Sequence, residues 1–254
     1  MSDVETSAHR RVVKDYYRTT SASGSGRNES AMRSSVVALR RRLGPWGDFA
    51  GRDVIDLGSG LGELCYLARQ GGARNVTGVN LSSEEIDVSR TWVEAEFVRS
   101  DVVEFVAARP DASADLIFAL NLLEHLDKDG LVALLESAAR VLRPGGQLVA
   151  MVPNAMSPFG SMTRYWDITH QNAFTLSSVR QLSRLVGFGD HVEFRECGPV
   201  PHGFVSGLRY VLWQGIRAVI AGYMLVEVAS TKGRIYTADM MFRLTRPQDR
   251  ELAG

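Results

Sequence analysis

The 254-residue chain reads as an α/β protein: a doubly wound, seven-stranded, mostly parallel sheet with an N-terminal helical cap and an inserted lid. Three observations predict this. From about residue 51 onward, short apolar runs of strand length alternate with segments of helical period. The first of those runs ends in a glycine-rich turn that opens a helix. Apolar residues make up 45% of the chain against 23% charged, enough to cover both faces of a sheet.

Taken in order, residues 1–50 form the cap and 51–254 the main domain. A first helix is expected over 1–18, with Val12, Val13, Tyr16 and Tyr17 as its apolar positions, then a Ser/Gly-rich loop over 19–30. A second helix over 31–43 is stopped by Gly44-Pro45. The strand at 53–57 is a buried run ending in glycine, followed by a helix over 61–70 stopped by Gly71-Gly72. A strand at 75–79 leads to Ser82, which can cap a short helix over 83–90 with Glu84 and Glu85 in its first turn. Further strands are expected at 96–99 and 114–120. Leu131, Leu134, Leu135, Ala138, Val141 and Leu142 then recur at helical spacing. Arg143-Pro144-Gly145-Gly146 turns into a strand at 147–152. The alternation breaks over 154–175, an irregular polar and aromatic stretch of the kind that forms lids. A helix at 176–186, a strand at 191–196, a long apolar helix at 203–229 and a strand at 234–244 complete the chain.

Bulk properties exclude several classes. Lys plus Arg equals Asp plus Glu at 29 each, so the basic footprint of a nucleic-acid surface is missing, and Arg40-Arg41-Arg42 reads as a solvated helix end. Cys65 and Cys197 make neither a disulfide framework nor a metal spacing. The first ten residues are polar with no apolar core, so a cytoplasmic protein without a secretory signal is expected. Arg209, Gln214, Arg217 and Glu227 interrupt the apolar helix, and a central Arg costs about 2.5–3.5 kcal/mol in a bilayer. That helix is expected to be buried or to form an interface such as a homodimer face, with a one-leaflet membrane contact as the lesser alternative, rather than to span a membrane.

The sharpest motif is Asp56-Leu57-Gly58-Ser59-Gly60-Leu61-Gly62-Glu63, which ends the first strand and opens the first helix of the main domain. Glycines let a ligand approach the backbone, and a helix N-terminus offers free N–H groups to a carboxylate. A dinucleotide site would place its third glycine at position 63, which is Glu63. Asp56, two residues before Gly58, suits a ligand with an ammonium group.

The stretch 54–63, Gly78-Val79-Asn80-Leu81-Ser82, Arg99-Ser100-Asp101, the stretch 115–125 and the stretch 142–153 resemble the successive motifs of class I S-adenosylmethionine (SAM)-dependent methyltransferases, in order and at the family's spacings. The resemblance covers about residues 50–190 and implies a Rossmann-like fold. It also implies the following roles. Gly58, Ser59, Gly60 and Gly62 line the methionine and ribose, and Asp56 sits near the amino group. Asn80, followed by Leu81, touches the ribose hydroxyls. Asp101 and the Val102 backbone read adenine. Leu120 and Asn121 lie beside the sulfonium. Apart from the resemblance, Tyr16 and Tyr17 can fold over the SAM pocket as a lid. The ribose position is usually acidic in the family. Asn80 offers one carbonyl acceptor in its place, so Asn80→Asp is expected to tighten SAM binding.

Methyl transfer from a sulfonium is an in-line displacement with a neutral leaving group, so alignment dominates, and a hydroxyl acceptor gains from a base or a metal. Two stretches past strand ends carry candidates: Asn121-Leu122-Leu123-Glu124-His125, and Asp167-Ile168-Thr169-His170-Gln171-Asn172. The second resembles a stretch of sugar-modifying and natural-product methyltransferases. His170 is the expected general base, with His125 second. Some ubiquinone-pathway and small-RNA methyltransferases bind a divalent metal through E-x-x-E-H and a later His. Glu124, His125 and His170 match three of those positions and Asn121 replaces the first Glu, so no metal is assigned and these three remain the candidates. Arg164, Tyr165 and Trp166 can contact an acceptor, and His202 can close the pocket. The expected activity is methylation of a small-molecule hydroxyl, on a sugar or secondary metabolite. The alternatives are a C- or N-directed transferase and a non-methylating, cyclase-like SAM-binding protein.

Overall fold

A computed structural model describes residues 29–201, 203–228 and 235–248. The expected helix over 1–18, with Tyr16 and Tyr17, and His202 lie outside the described residues. The element order is α1 (Glu29–Leu43), β1 (Asp53–Leu57), α2 (Glu63–Gln70), β2 (Asn75–Asn80), α3 (Ser83–Arg90), β3 (Glu96–Arg99), α4 (Val102–Ala107), β4 (Ala114–Leu120), α5 (Lys128–Val141), β5 (Leu142–Pro153), α6 (Gly160–Tyr165), α7 (Leu176–Leu185), β6 (Val192–Glu196), α8 (Phe204–Val228) and β7 (Asp239–Thr245).

The seven strands form one sheet in the order β3-β2-β1-β4-β5-β7-β6. The pairs β1–β2, β1–β4, β2–β3 and β4–β5 are parallel, and β7 runs antiparallel to both β5 and β6. Successive side chains of a strand point to opposite faces. Val54, Leu116, Phe118, Val149 and Met151 accordingly enter one core with Leu43, Trp46 and Leu64. Ile55, Leu57, Ile117, Ala119, Leu148 and Ala150 enter the other with Leu134, Leu135 and Phe188. Burial on both faces is why these strands read as continuous apolar runs. The chain reverses direction of winding where β1 sits between β2 and β4, and an open parallel sheet forms its crevice outside the strand ends at that point.

Several boundaries differ from the sequence expectation, each for a local reason. α2 begins at Glu63 rather than residue 61, because Gly60 and Gly62 take positive φ and Gly62 is a left-handed N-cap. An unforeseen helix, α4, follows β3; Asp101 caps it by accepting from the amides of Val103 (2.8 Å) and Glu104 (3.2 Å). The turn at 143–146 sits inside β5: Leu142 already pairs with Ala114, and the register shifts before Gln147 pairs with Leu116. The last strand starts at Asp239, not 234, where it meets Pro153 at the end of β5. The irregular stretch 154–175 contains α6. Helix α8 is present, but the expectation that it is buried fails, because it lies outside the sheet with its outer face exposed.

Candidate active site

The site is assembled at the edge where the parallel strands end. The glycine loop leaves β1 there and is tied down by the amides of Gly58 and Ser59, which donate to the Val79 carbonyl of β2 at 2.9 and 3.0 Å. Gly60 is open: a Cβ built on it would meet nothing within 4 Å. At Gly62 a Cβ would press on Ser89 and Val93 at 3.2–3.3 Å, so only glycine lets α2 close against α3. The Ser59 hydroxyl is buried with no hydrogen-bond partner, an arrangement that a ligand satisfies.

Asp56 is buried beside the loop and its carboxylate is pushed up to about 7 by burial, against a lowering contact from the Cys65 thiol at 3.5 Å. A buried carboxylate without a cation gains from an ammonium group nearby. The orphaned Ser59 hydroxyl, the open Gly60 and uncompensated Asp56 fit the methionine end of SAM.

The end of β2 differs from expectation. The Asn80 carbonyl oxygen already accepts from the Ser82 amide at 3.2 Å, and its amide group donates to Glu85 at 2.8 Å and to the Gly60 carbonyl at 3.4 Å. A carboxylate therefore stands beside Asn80, supplied by α3. An aspartate at position 80 would face Glu85, which reverses the expected benefit of Asn80→Asp. At the end of β3, Asp101 uses Oδ1 for both caps of α4. The Val102 side chain belongs to the core. Leu81 is exposed. At the end of β4 Leu120 is half-buried, and just beyond it Asn121 holds φ at 53°, a left-handed conformation that asparagine tolerates better than most residues and that clusters at functional sites.

Across the crevice the two sequence stretches meet. The Glu124 carbonyl accepts from the amides of Gln171 (2.7 Å) and Asn172 (3.2 Å), and the Asn172 side chain donates to the Leu126 carbonyl at 2.6 Å. The rings of His125 and His170 lie edge to face with centroids 4.8 Å apart. Hydrogen bonds set their tautomers. His170 Nδ1 sits 2.9 Å from the Thr163 carbonyl, which can only accept, so Nδ1 carries the proton and Nε2 the lone pair. Thr169 donates its hydroxyl to Asp167 at 2.7 Å and so accepts from His125 Nδ1 at 2.6 Å. Arg164 donates to the carbonyls of His170 and Gln171. These bonds tie the stretch to itself, while Tyr165 and Trp166 are exposed.

Glu124 is almost fully buried. Burial pushes its carboxyl up to about 8, with Asp239 and Asp167 adding to the shift, and its Oε2 has no hydrogen-bond partner. One carboxylate oxygen and one ring nitrogen from each histidine lie within 4.8 Å of one another. An orphaned carboxylate oxygen with two imidazoles fits a divalent first-row ion by donor type. Sequence reasoning quoted Asp167 and Thr169 within the second candidate stretch without giving them a role, and missed Glu85 and Asp239 as neighbours of the site. Asp239 is held above the ordinary carboxylate range by burial, against lowering by Arg42 and His170. Neither Glu85 nor Asp239 sits in a quoted motif; only the fold brings these two beside Asn80 and Glu124.

A family model described as a methyltransferase domain matches residues 29–191. Among curated proteins, the chain is similar to a ubiquinone biosynthesis O-methyltransferase of Xanthomonas oryzae, at 34% identity over 40% of this chain and 43% of that protein. It is also similar to the 27-O-demethylrifamycin SV methyltransferase of Amycolatopsis mediterranei, at 35% identity over 39% of this chain and 38% of that one. The matched stretch thus spans less than half of either relative. Among solved structures, a SAM-dependent methyltransferase from Archaeoglobus fulgidus superposes with a TM-score of 0.62 at 19% identity, covering 92% of this chain and 98% of that one, a likeness of fold.

Proposed function

Because the chain belongs to the methyltransferase domain family, as a class I SAM-dependent member, we propose that it methylates a hydroxyl of a small molecule, of the sugar or secondary-metabolite kind. The observation that carries this reading is the His170 ring, whose Nε2 lone pair is set by the Thr163 carbonyl on a lid bound to the Glu124 backbone. In this reading His170 Nε2 takes the acceptor proton as the oxygen attacks the methyl carbon. The carbon–sulfur bond breaks and S-adenosylhomocysteine leaves uncharged. His125, held by Thr169 and Asp167, orients the acceptor. Gly58, Ser59, Gly60 and Gly62 hold the methionine and ribose, Asp56 faces the ammonium side, Asn80 and Leu81 border the ribose, and Asp101 with the Val102 backbone binds adenine. Leu120 and Asn121 flank the sulfur.

The test has two parts. Calorimetry with S-adenosylhomocysteine should show binding. Methyl-labelled SAM offered with a panel of sugar and phenolic hydroxyl compounds should label an oxygen. Binding without transfer to any acceptor points to the cyclase-like alternative, and absence of binding removes the reading. The convergence of Glu124, His125 and His170 favours a second reading, in which these residues hold a divalent ion that would acidify the acceptor hydroxyl. Exhaustive chelation is expected to leave the rate unchanged; a loss restored by added metal selects the second reading.

A further inference from the structure

One edge of the molecule carries exposed apolar and basic groups on three separate elements. β6 ends at Glu196, which pairs with Met240, and β7 begins at Asp239, which pairs with the last residue of β5. The connection containing α8 therefore leaves and re-enters the sheet at the edge that carries the candidate active site. The helix rests there by one side: Arg217 pairs with Glu196 at 3.4 Å, and Trp213 lies against Gly198. Its opposite side is an unbroken apolar stripe. Phe204, Leu208, Val211 and Leu212 are exposed, as are Val219 at 74% and Val226 at 89%. With 25 residues the helix is roughly 37 Å long, and a stripe of that length exceeds the scattered apolar patches of an ordinary protein surface.

Two further features say what covers it. Arg40, Arg41 and Arg42 are exposed at the end of α1, and the Arg41 side chain donates to the carbonyl of Pro201, three residues before α8 begins. The lid, which follows β5 at the same edge, exposes Trp166 to 79% and Ile168 to 87% beside Tyr165. An apolar helix stripe beside clustered arginines and interfacial aromatic rings matches the chemistry of a headgroup layer. A second copy of the chain would offer the three arginines only one acid from this helix, Glu227.

We propose that this edge docks on an anionic lipid bilayer, with α8 lying in the headgroup layer and the arginine triplet on the phosphates. Among the described residues no helix is long and apolar enough to cross a membrane, so the contact is with one leaflet. The docked protein has its crevice against the bilayer. The docking stands on exposure and charge, independently of which atom is methylated.

Flotation of the full chain with phosphatidylglycerol-rich and with pure phosphatidylcholine vesicles tests this. Binding should favour the anionic vesicles and weaken as salt is raised. The double variant Val211→Asp, Val219→Asp should lower partitioning about a hundredfold. Arg40→Gln and Arg41→Gln should each lower it about fivefold, on anionic vesicles alone. All variants should keep the melting temperature and S-adenosylhomocysteine affinity of the parent, which separates loss of docking from misfolding and from failure of the catalytic reading. The proposal is overturned if the parent does not float with either vesicle, or if the aspartate variant floats as well as the parent. A parent dimer that the aspartates split, with no vesicle binding, also overturns it and gives the stripe to a second copy.

Discussion

Asp53 and Asp56 are the same residue type three positions apart on β1, yet they titrate in opposite directions. At the edge where strands begin, the Arg74 guanidinium holds Asp53 down to about 2, with Asn75 and Arg143 assisting. The ion pairs are close, Asp53 with Arg74 at 2.6 Å and with Arg143 at 2.9 Å, and Asp115 meets the same two arginines at 3.3 and 2.9 Å. At the edge where strands end, burial pushes Asp56 up to about 7 and Glu124 up to about 8. One end of the sheet has its charges compensated by the protein. At the other, among the described residues, Asp56 and Glu124 are buried with no cation lowering either, and the Ser59 hydroxyl and Glu124 Oε2 have no hydrogen-bond partner. Uncompensated groups at one end of a stable sheet mark where a ligand completes the structure.

The comparison can be broken most decisively at His170. His170→Ala should lower turnover by about 10²–10³-fold while leaving S-adenosylhomocysteine affinity intact. An equal loss in binding would make the ring a lid fastener instead. Asp56 offers the next effect. Its folded pKa lies above the unfolded value near 3.8, so its contribution is fully present below about pH 4 and is lost as pH rises through about 7. Cofactor-free Asp56→Asn should therefore melt about 5 °C higher than the parent at pH 8, from roughly 2 kcal/mol, and no higher at pH 4. Equal melting temperatures at pH 8 would show the carboxylate to be compensated.

A smaller effect is expected at the end of β2. Asn80→Asp alone should weaken S-adenosylhomocysteine binding, because the new carboxylate faces Glu85. Combining Asn80→Asp with Glu85→Gln should recover binding to about fivefold better than Asn80→Asp alone. Independent effects of the two changes in calorimetry would dissolve the pairing. The smallest belongs to the compensated edge. Asp53 is depressed, so its stabilisation is present above about pH 4 and disappears as pH falls through about 2. Arg74 is more than half exposed, so solvent screens the pair, and Arg74→Ala should lower the urea midpoint only slightly at pH 7 and by less still near pH 2.

Much of this was legible along the chain. The run from Asp53 to Leu57 announces a strand buried on both faces, Ser82 announces a helix start that its bond to the Glu85 amide realises, and Gly187 marks a helix end. These are local effects of φ preference, capping and burial. The cap role of Asp101 was not legible, because an aspartate placed for adenine and one placed for an N-cap share the same sequence. The exposure of α8 was hidden for a related reason: apolar composition states that a face is to be covered, not by what.

By itself, then, the sequence determined the alternation of elements, the turn at 58–62 and the pair of histidine-bearing stretches, because each depends on residues close along the chain. Only the tertiary structure decided that Glu85 stands against Asn80, that Glu124 is sealed beside His125 and His170, and that one edge is charge-compensated while the other is not. Those outcomes depend on desolvation and on contacts between distant segments, and both arise only when the strands pair and the helices close over them.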